Sequence, residues 1–328
     1  MRRCQAGRVV LSACSLNTYP LRMRFSVHLP TDRVSLGEEF VSGEGVATVA
    51  RNAEDAGFDA CYVTDHPFPS DRWLADGGHH ALDPWVALSF AAAATTRLRV
   101  QTHIAVLPYR NPFLTASAVA SLDVLSGGRL IVGVAAGYLR GEFHALGADF
   151  EGRNERSDEA LVAIKRALTE DGVVAEGPGW EVRGNTLLPH PIQRPHPPFW
   201  VGGNSRRAIR RAVDLGDGWV PFPTSGIRPS AVRTASMESL EDLAERIGYL
   251  RDYAKEVGRT EPLDICFMPF GFSMHDLKDV DATRFGAVVE ELADMGVTWL
   301  TVGLPGRGRD EYCESIRRFG EEVLAKLP

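Results

Sequence analysis

The 328-residue chain has no C-x-x-C pair, no glycine fingerprint directly after its first strand-like run and no block of like charges. It also lacks any apolar stretch of the ~18–20 residues that a membrane span needs. Each gap excludes something. The five cysteines, at 4, 14, 61, 266 and 313, are odd in number and scattered, so a disulfide framework is not expected. Cys61 and Cys266 lie in apolar runs and read as core thiols, which suits a reducing cytoplasm. A net charge of −7 argues against an electrostatic nucleic-acid binder, and the absence of a long apolar run argues against a membrane partner. The nearest glycine-rich candidate, Gly43-Glu44-Gly45, does not directly follow a strand, which weakens the case for a doubly wound open sheet.

Residues 1–22, MRRCQAGRVVLSACSLNTYPLR, faintly resemble a secretory signal, but Val9–Ala13 is shorter than an h-region of roughly 7–15 residues and Arg8 adjoins it. A second methionine, Met23, directly precedes the first good strand. The segment 1–22 therefore reads as a disordered extension or a misplaced start, and 23–328 as one domain.

What the chain does contain is alternation. Short apolar, β-branched runs predict strands at 23–29, 59–65, 98–107, 129–135, 198–202, 217–222, 263–269 and 298–303. Amphipathic patterns predict helices at 44–56, 84–95, 112–125, 154–170, 205–215, 237–257, 281–295 and 310–326. Asp83-Pro84 and Asn111-Pro112 supply an N-cap acceptor followed by proline at the first helical position. Gly57, Gly216, Gly258 and Gly296 stand where helices should stop. Eight strand–helix pairs predict an α/β fold, a (β/α)8 barrel whose near-continuously apolar strands are buried on both faces. Residues 172–197 interrupt the alternation, with a small hairpin expected around WEVRGNTLL. Residues 67–82 and 223–236 are long loops of the kind that form lids or binding segments.

In such a barrel chemistry sits at the C-terminal ends of the strands. There the sequence offers His28; Asp65 and His66 in YVTDHPF; Thr102-His103-Ile104; Gly137-Tyr138, with Arg140 and Glu142 beyond; and Gly202-Gly203-Asn204-Ser205-Arg206-Arg207. His66 has two readings, a core histidine ending a strand or a proton-transfer group. Asp65 and His66 are adjacent and would face opposite ways on a regular strand, so both reach one cavity only if the chain turns at Pro67. Gly133, Ala135 and Gly137 line one strand face, either leaving room for a flat ligand or allowing tight packing. GGNSRR suits a phosphate at a helix N-terminus, or an ordinary capped helix start. LPGRGRDE at 304–311 is a weaker phosphate candidate. His28, His66 and His103 also permit a three-histidine metal site, without the H-x-H spacing that would strengthen it.

Taken in order, GFDACYVTDHPFP, LDPWVALSFAAAATTRLRVQTHIAVLPYRNP, SLDVLSGGRLIVGVAAGYLRGEFHALG and HPIQRPHPPFWVGGNSRRAIRRAVDLGDGWVP resemble the luciferase-like enzymes, closest to their F420-dependent oxidoreductase branch, found mainly in actinobacteria. The resemblance covers roughly residues 23–222. It implies a barrel with insertion segments, a deazaflavin (coenzyme F420) or FMN lying across the strand ends, a small organic substrate, cytoplasmic location and a homodimer. It also implies a non-proline cis peptide, matching His103–Ile104, as a bulge against the ring. Asp65 and His66 match positions contacting the deazaflavin, His66 beside the hydride-transfer carbon as catalytic residue. Gly137 and Tyr138 lie at the ring. Gly202, Gly203, Asn204, Ser205 and Arg206 match the cofactor phosphate site. The sugar-phosphate branch has a glutamate where this chain has Tyr138, so its substrate does not carry over. The competing readings are an FMN-dependent monooxygenase of the same fold, a non-catalytic flavin-binding protein and a metal-dependent hydrolase.

Overall fold

The computed structural model describes residues 22–225, 234–271 and 282–327. The expected extension lies outside them except for Arg22, as does most of the 223–236 loop. Ten strands occur among the described residues: β1 Arg24–His28, β2 Ala60–Val63, β3 Arg99–Val106, β4 Leu130–Ala135, β5 Val173–Gly177, β6 Trp180–Asn185, β7 Phe199–Gly202, β8 Gly218–Val220, β9 Asp264–Phe267 and β10 Trp299–Val302. Eight of them close a parallel barrel in the order β1-β10-β9-β8-β7-β4-β3-β2. The remaining pair, β5 and β6, forms the antiparallel hairpin anticipated within 172–197. The helices are α1 Gly43–Asp55, α2 Asp71–Ala75, α3 Pro84–Ala94, α4 Pro112–Leu125, α5 Arg140–Ala145, α6 Arg153–Thr169, α7 Arg206–Leu215, α8 Leu240–Glu256, α9 Ala282–Met295 and α10 Arg309–Glu322. The short helices α2 and α5 were not foreseen; both lie in loops that leave strand ends.

The local reasons are those in the sequence. The Asp83 carboxylate accepts from the amides of Trp85 and Val86 and starts α3; the Asn111 side chain accepts from Phe113 and starts α4. Ser239 and Asp242 form a reciprocal capping box, which starts α8 at Leu240 rather than at 237. Gly57, Gly258 and Gly296 take positive φ at helix ends, as expected. Gly216 does not: its φ is −103°, and it is small because a Cβ there would stand 2.9 Å from the Ala212 carbonyl oxygen.

The inside of the barrel is filled, not open. Ala60, Ile131, Trp200, Val220, Cys266 and Trp299 form its inner layer, with the Trp200 and Trp299 rings 5.2 Å apart. A larger apolar shell lies between strands and helices. Cys61, Cys266 and Cys313 are free, buried thiols, and burial pushes Cys61 up to about 12. No helix among the described residues is long and apolar enough to cross a membrane.

Candidate functional site

The β3–β4 pairing is regular to Thr102↔Val132 and resumes one register later at Ala105↔Val134. The His103–Ile104 peptide bond within that shift is cis, as the resemblance implied. The bulge determines what surrounds it. A Cβ at Gly133 would stand 2.1 Å from the Thr102 carbonyl oxygen, and one at Gly202 would stand 2.2 Å from Ile104 Cδ1. Gly137, at φ +77°, sits against Val106 and Phe143. The small-residue face therefore accommodates the bulge and its Ile104 side chain; it is packed rather than left open for a flat ligand. Ile104 and His103 are themselves half-buried, so the bulge forms part of the barrel mouth.

Asp65 and His66 leave β2 in different directions, as adjacent residues of an extended chain should. Asp65 is buried and receives three hydrogen bonds: from the Val106 amide at 2.9 Å, and from both terminal nitrogens of Arg110 at 2.7 and 2.9 Å. Its carboxylate thus ties the end of β2 to the end of β3. Arg110 also reaches Asp83, the cap of α3, at 3.3 Å. These carboxylates hold the Arg110 guanidinium above its ordinary value, against the opposing effect of burial. His66 instead faces Glu142, with Nδ1 3.5 Å from Oε2. The carboxylate beside the histidine is therefore Glu142, not Asp65.

Sequence reasoning named Glu142 as lying beyond the fourth strand but gave it no role. It is fully buried on α5, accepts a hydrogen bond from the Tyr109 hydroxyl at 2.8 Å and another from the Phe68 amide at 3.3 Å. A buried carboxylate requires such partners. Glu142 pushes the Tyr109 phenol up, second to burial, so Tyr109 remains a donor. The signal available in the sequence was the spacing: Glu142 lies four residues after Tyr138, on the loop leaving β4. Around the imidazole, Trp73 lies 4.5 Å away by ring centroids, His79 4.8 Å and Tyr138 6.3 Å. The loop 67–82 therefore folds its own helix, α2, against His66. Burial, with His66 second, lowers the His79 pKa. Burial, with Glu142 second, raises that of Tyr138, so both rings are neutral near pH 7.

The exit of β7 is organised differently. Asn204 is buried, donates to the carbonyls of Phe222 and Ala235 at 2.7 and 2.8 Å, and accepts from the Phe222 amide at 2.8 Å. Ser205 caps α7 by accepting from Ala208 at 3.2 Å. Arg206 lies 5.0 Å from the Tyr249 ring, and Arg207 pairs with Glu155 and Asp158. Gly203 is at φ +118°, where a side chain is strained, and its amide donates to Val220. The first-turn amides of Arg206 and Arg207 have no acceptor within the helix, a property of every helix start. In the 304–311 loop, Arg307 is exposed and paired with Glu311.

His28 and His103 lie on either side of Tyr62, at 5.2 and 4.8 Å, whereas His66 belongs to the Trp73–His79 group. Among the described residues there is no cluster of three or more metal-type ligands. A flank cleft of about 230 Å³, lined by Tyr109, Arg110, Arg156 and Trp180 among others, lies outside the barrel mouth. Although Tyr109 and Arg110 line it, their polar ends point to Glu142 and Asp65.

The geometry places a histidine–carboxylate pair in an aromatic enclosure at the C-terminal end of a closed barrel, beside a cis-peptide bulge. Comparison with known proteins gives the family. The chain is 31% identical over 321 residues to the F420-dependent glucose-6-phosphate dehydrogenase of Microbacterium testaceum, covering 84% of this chain and 90% of the relative. It is 35% identical over 173 residues to the FMNH2-dependent dimethylsulfone monooxygenase of Pseudomonas putida, covering 52% and 46%. The monooxygenase RslO1 of Streptomyces bottropensis shares the fold, with a TM-score of 0.73 at 22% identity over 93% of this chain and 100% of that one. Residues 23–283 match the luciferase-like monooxygenase family, and the chain belongs to it.

Proposed function

We propose that this protein is an F420-dependent oxidoreductase in which His66 moves the proton that accompanies hydride transfer to or from a small organic substrate. The observation that carries the reading is the His66–Glu142 pair at the exit of β2. With Nδ1 turned towards a buried carboxylate, the Nε2 atom is left to give or take a proton. The surroundings fit a ring-bearing cofactor. The bulge residues His103 and Ile104 are half-buried at the mouth, Tyr138 and Trp73 supply flat aromatic surface, and His66 Nδ1 is buried without a hydrogen bond of good geometry. His66, His103, Ile104, Gly137 and Tyr138 would hold the ring. The N-terminal amides of α7, with Gly202, Gly203 and Ser205, would hold the phosphate. Asp65 and Asn204 act one step back, by fixing β3 and the loop after β8. When bound, the reduced cofactor supplies the hydride. FMN is the alternative, favoured by the similarity to the FMNH2-dependent relative.

Titrating the apoprotein with F420 and with FMN decides between the two. Replacing His66 with Ala should lower turnover about 10²–10⁴-fold with the preferred cofactor, the usual range for loss of a general acid–base. Unchanged turnover would remove His66 from the mechanism, and binding of neither cofactor would remove the reading altogether.

We further propose a cytoplasmic homodimer joined through α3 and α4. Leu114 and Leu125 on α4 are 71% and 75% exposed, Val86 and Phe90 on α3 are exposed too, and neither helix carries an exposed charge. A helix apolar all round wants cover on every side. Light scattering should give twice the chain mass, and Phe90→Asp should halve it.

A further inference from the structure

The mouth has a second polar wall, which the His66 network does not use. His28 stands opposite Tyr62 in the β1–β2 register. Ala60, two residues before Tyr62, belongs to the inner layer, so alternation places Tyr62 on the inner face as well, one layer nearer the C-terminal ends. Tyr62 is 3% exposed, and its hydroxyl has no hydrogen-bond partner among the described residues. Nor do the hydroxyls of Ser26 on β1 and Thr301 on β10, which are paired in register and fully buried. A buried hydroxyl left unpaired costs about 1–3 kcal/mol. Packing alone does not ask for three of them on adjacent strands, since Phe, Ala and Val fill the same volumes.

The charges on this side narrow what the wall can receive. Asp32 stands 3.4 Å from the His28 imidazole. Burial, with His28 second, pushes His103 down to about 4, so its ring is neutral. The nearby arginines are committed: Arg33 to the carbonyls of Leu304 and Gly306, Arg110 to Asp65 and Asp83, Arg140 to Glu151. Among the described residues the wall offers hydroxyls, imidazoles and one carboxylate, but no unpaired cation to meet a phosphate or carboxylate.

We propose that Tyr62, flanked by His28 and His103, determines specificity by donating its hydroxyl to an oxygen atom of an uncharged substrate. This rests on the oxidoreductase reading of the mouth and adds the substrate class: a neutral molecule bearing a carbonyl or hydroxyl, not a sugar phosphate. The Tyr62 phenol is held neutral by burial, with the nearby Tyr312 next, so it stays a donor across the physiological range.

The test uses 4-fluorophenol and 4-fluorobenzoate as neutral and anionic probes, followed by ¹⁹F NMR against the protein with and without its titrated cofactor. Wild type should bind 4-fluorophenol at least tenfold more tightly than Tyr62→Phe, and more tightly than 4-fluorobenzoate. The variant should keep its cofactor affinity and keep or raise its melting temperature, because it removes a buried hydroxyl that nothing in the fold uses. Equal affinities, no detectable phenol binding, a preference for the benzoate or a lower melting temperature in Tyr62→Phe would each overturn the proposal. Loss of F420 and FMN binding alike would sink the oxidoreductase reading while the apoprotein comparison still decides the role of Tyr62.

Discussion

At the exit of β2, Asp65 and His66 enter a polar network that spans three strands: Asp65 to Val106 and Arg110 beyond β3, His66 to Glu142 beyond β4. At the exit of β7, the equally suggestive Gly202–Arg207 run is used locally. Ser205 caps its own helix, Asn204 secures the loop after β8, and the arginines lie over Tyr249 or pair with the acids of α6. The contrast separates two ways in which a strand end becomes a site. One assembles side chains from distant parts of the chain. The other presents backbone amides that any capped helix would present, together with glycines that allow close approach. Substitutions at the first should therefore alter stability and pH behaviour together, whereas substitutions at the second should be small and additive.

The largest stability effect is expected from Asp65→Asn. It leaves an acceptor for Val106 but strips the half-buried Arg110 guanidinium of its main partner, a change of about 3 kcal/mol in denaturant unfolding. Next comes Glu142→Gln, read as activity. The side chain keeps its volume and one acceptor but loses the charge facing His66. We expect about a tenfold fall in kcat/KM with cofactor affinity retained, a split that a purely structural defect would not produce.

His103 sharpens the comparison through pH. Its folded value, about 4, lies below the ordinary 6.5, so between the two the unfolded chain binds more protons. Its contribution is thus complete above pH 6.5 and lost as pH falls towards 4. Partial exposure of the ring trims the effect to about 2 kcal/mol. His103→Gln should flatten that part of the stability–pH curve. The smallest effect belongs to the β7 side: Ser205→Ala should lower stability by about 1 kcal/mol through loss of one cap, with turnover unchanged at saturating cofactor.

Much of the architecture was readable because periodicity is a local property. The eight barrel strands and the eight large helices fall where alternation and capping residues put them, since each segment's pattern reports which faces it must bury. The short helices α2 and α5 escaped notice because five or six residues are too few to show a helical period. Asp65 and His66 were recognisable as a pair, but which of them acts was not. That depended on the direction each side chain takes after β2, and on Arg110 and Glu142, 45 and 76 positions further along the chain from Asp65 and His66. The glycines of β4 were also visible, yet their purpose was ambiguous until the bulge in β3 showed Thr102 and Ile104 filling the space.

The sequence by itself determined the barrel, the approximate extent of its strands, most of its helix caps and the strand ends where chemistry could occur, because hydrophobic period and cap chemistry act within a few residues. Tertiary structure alone decided that Glu142 faces His66, that Asp65 is a strut between strands, and that Tyr62 lies between two histidines. Those relations are set by barrel closure and register, which bring together residues that no local pattern connects.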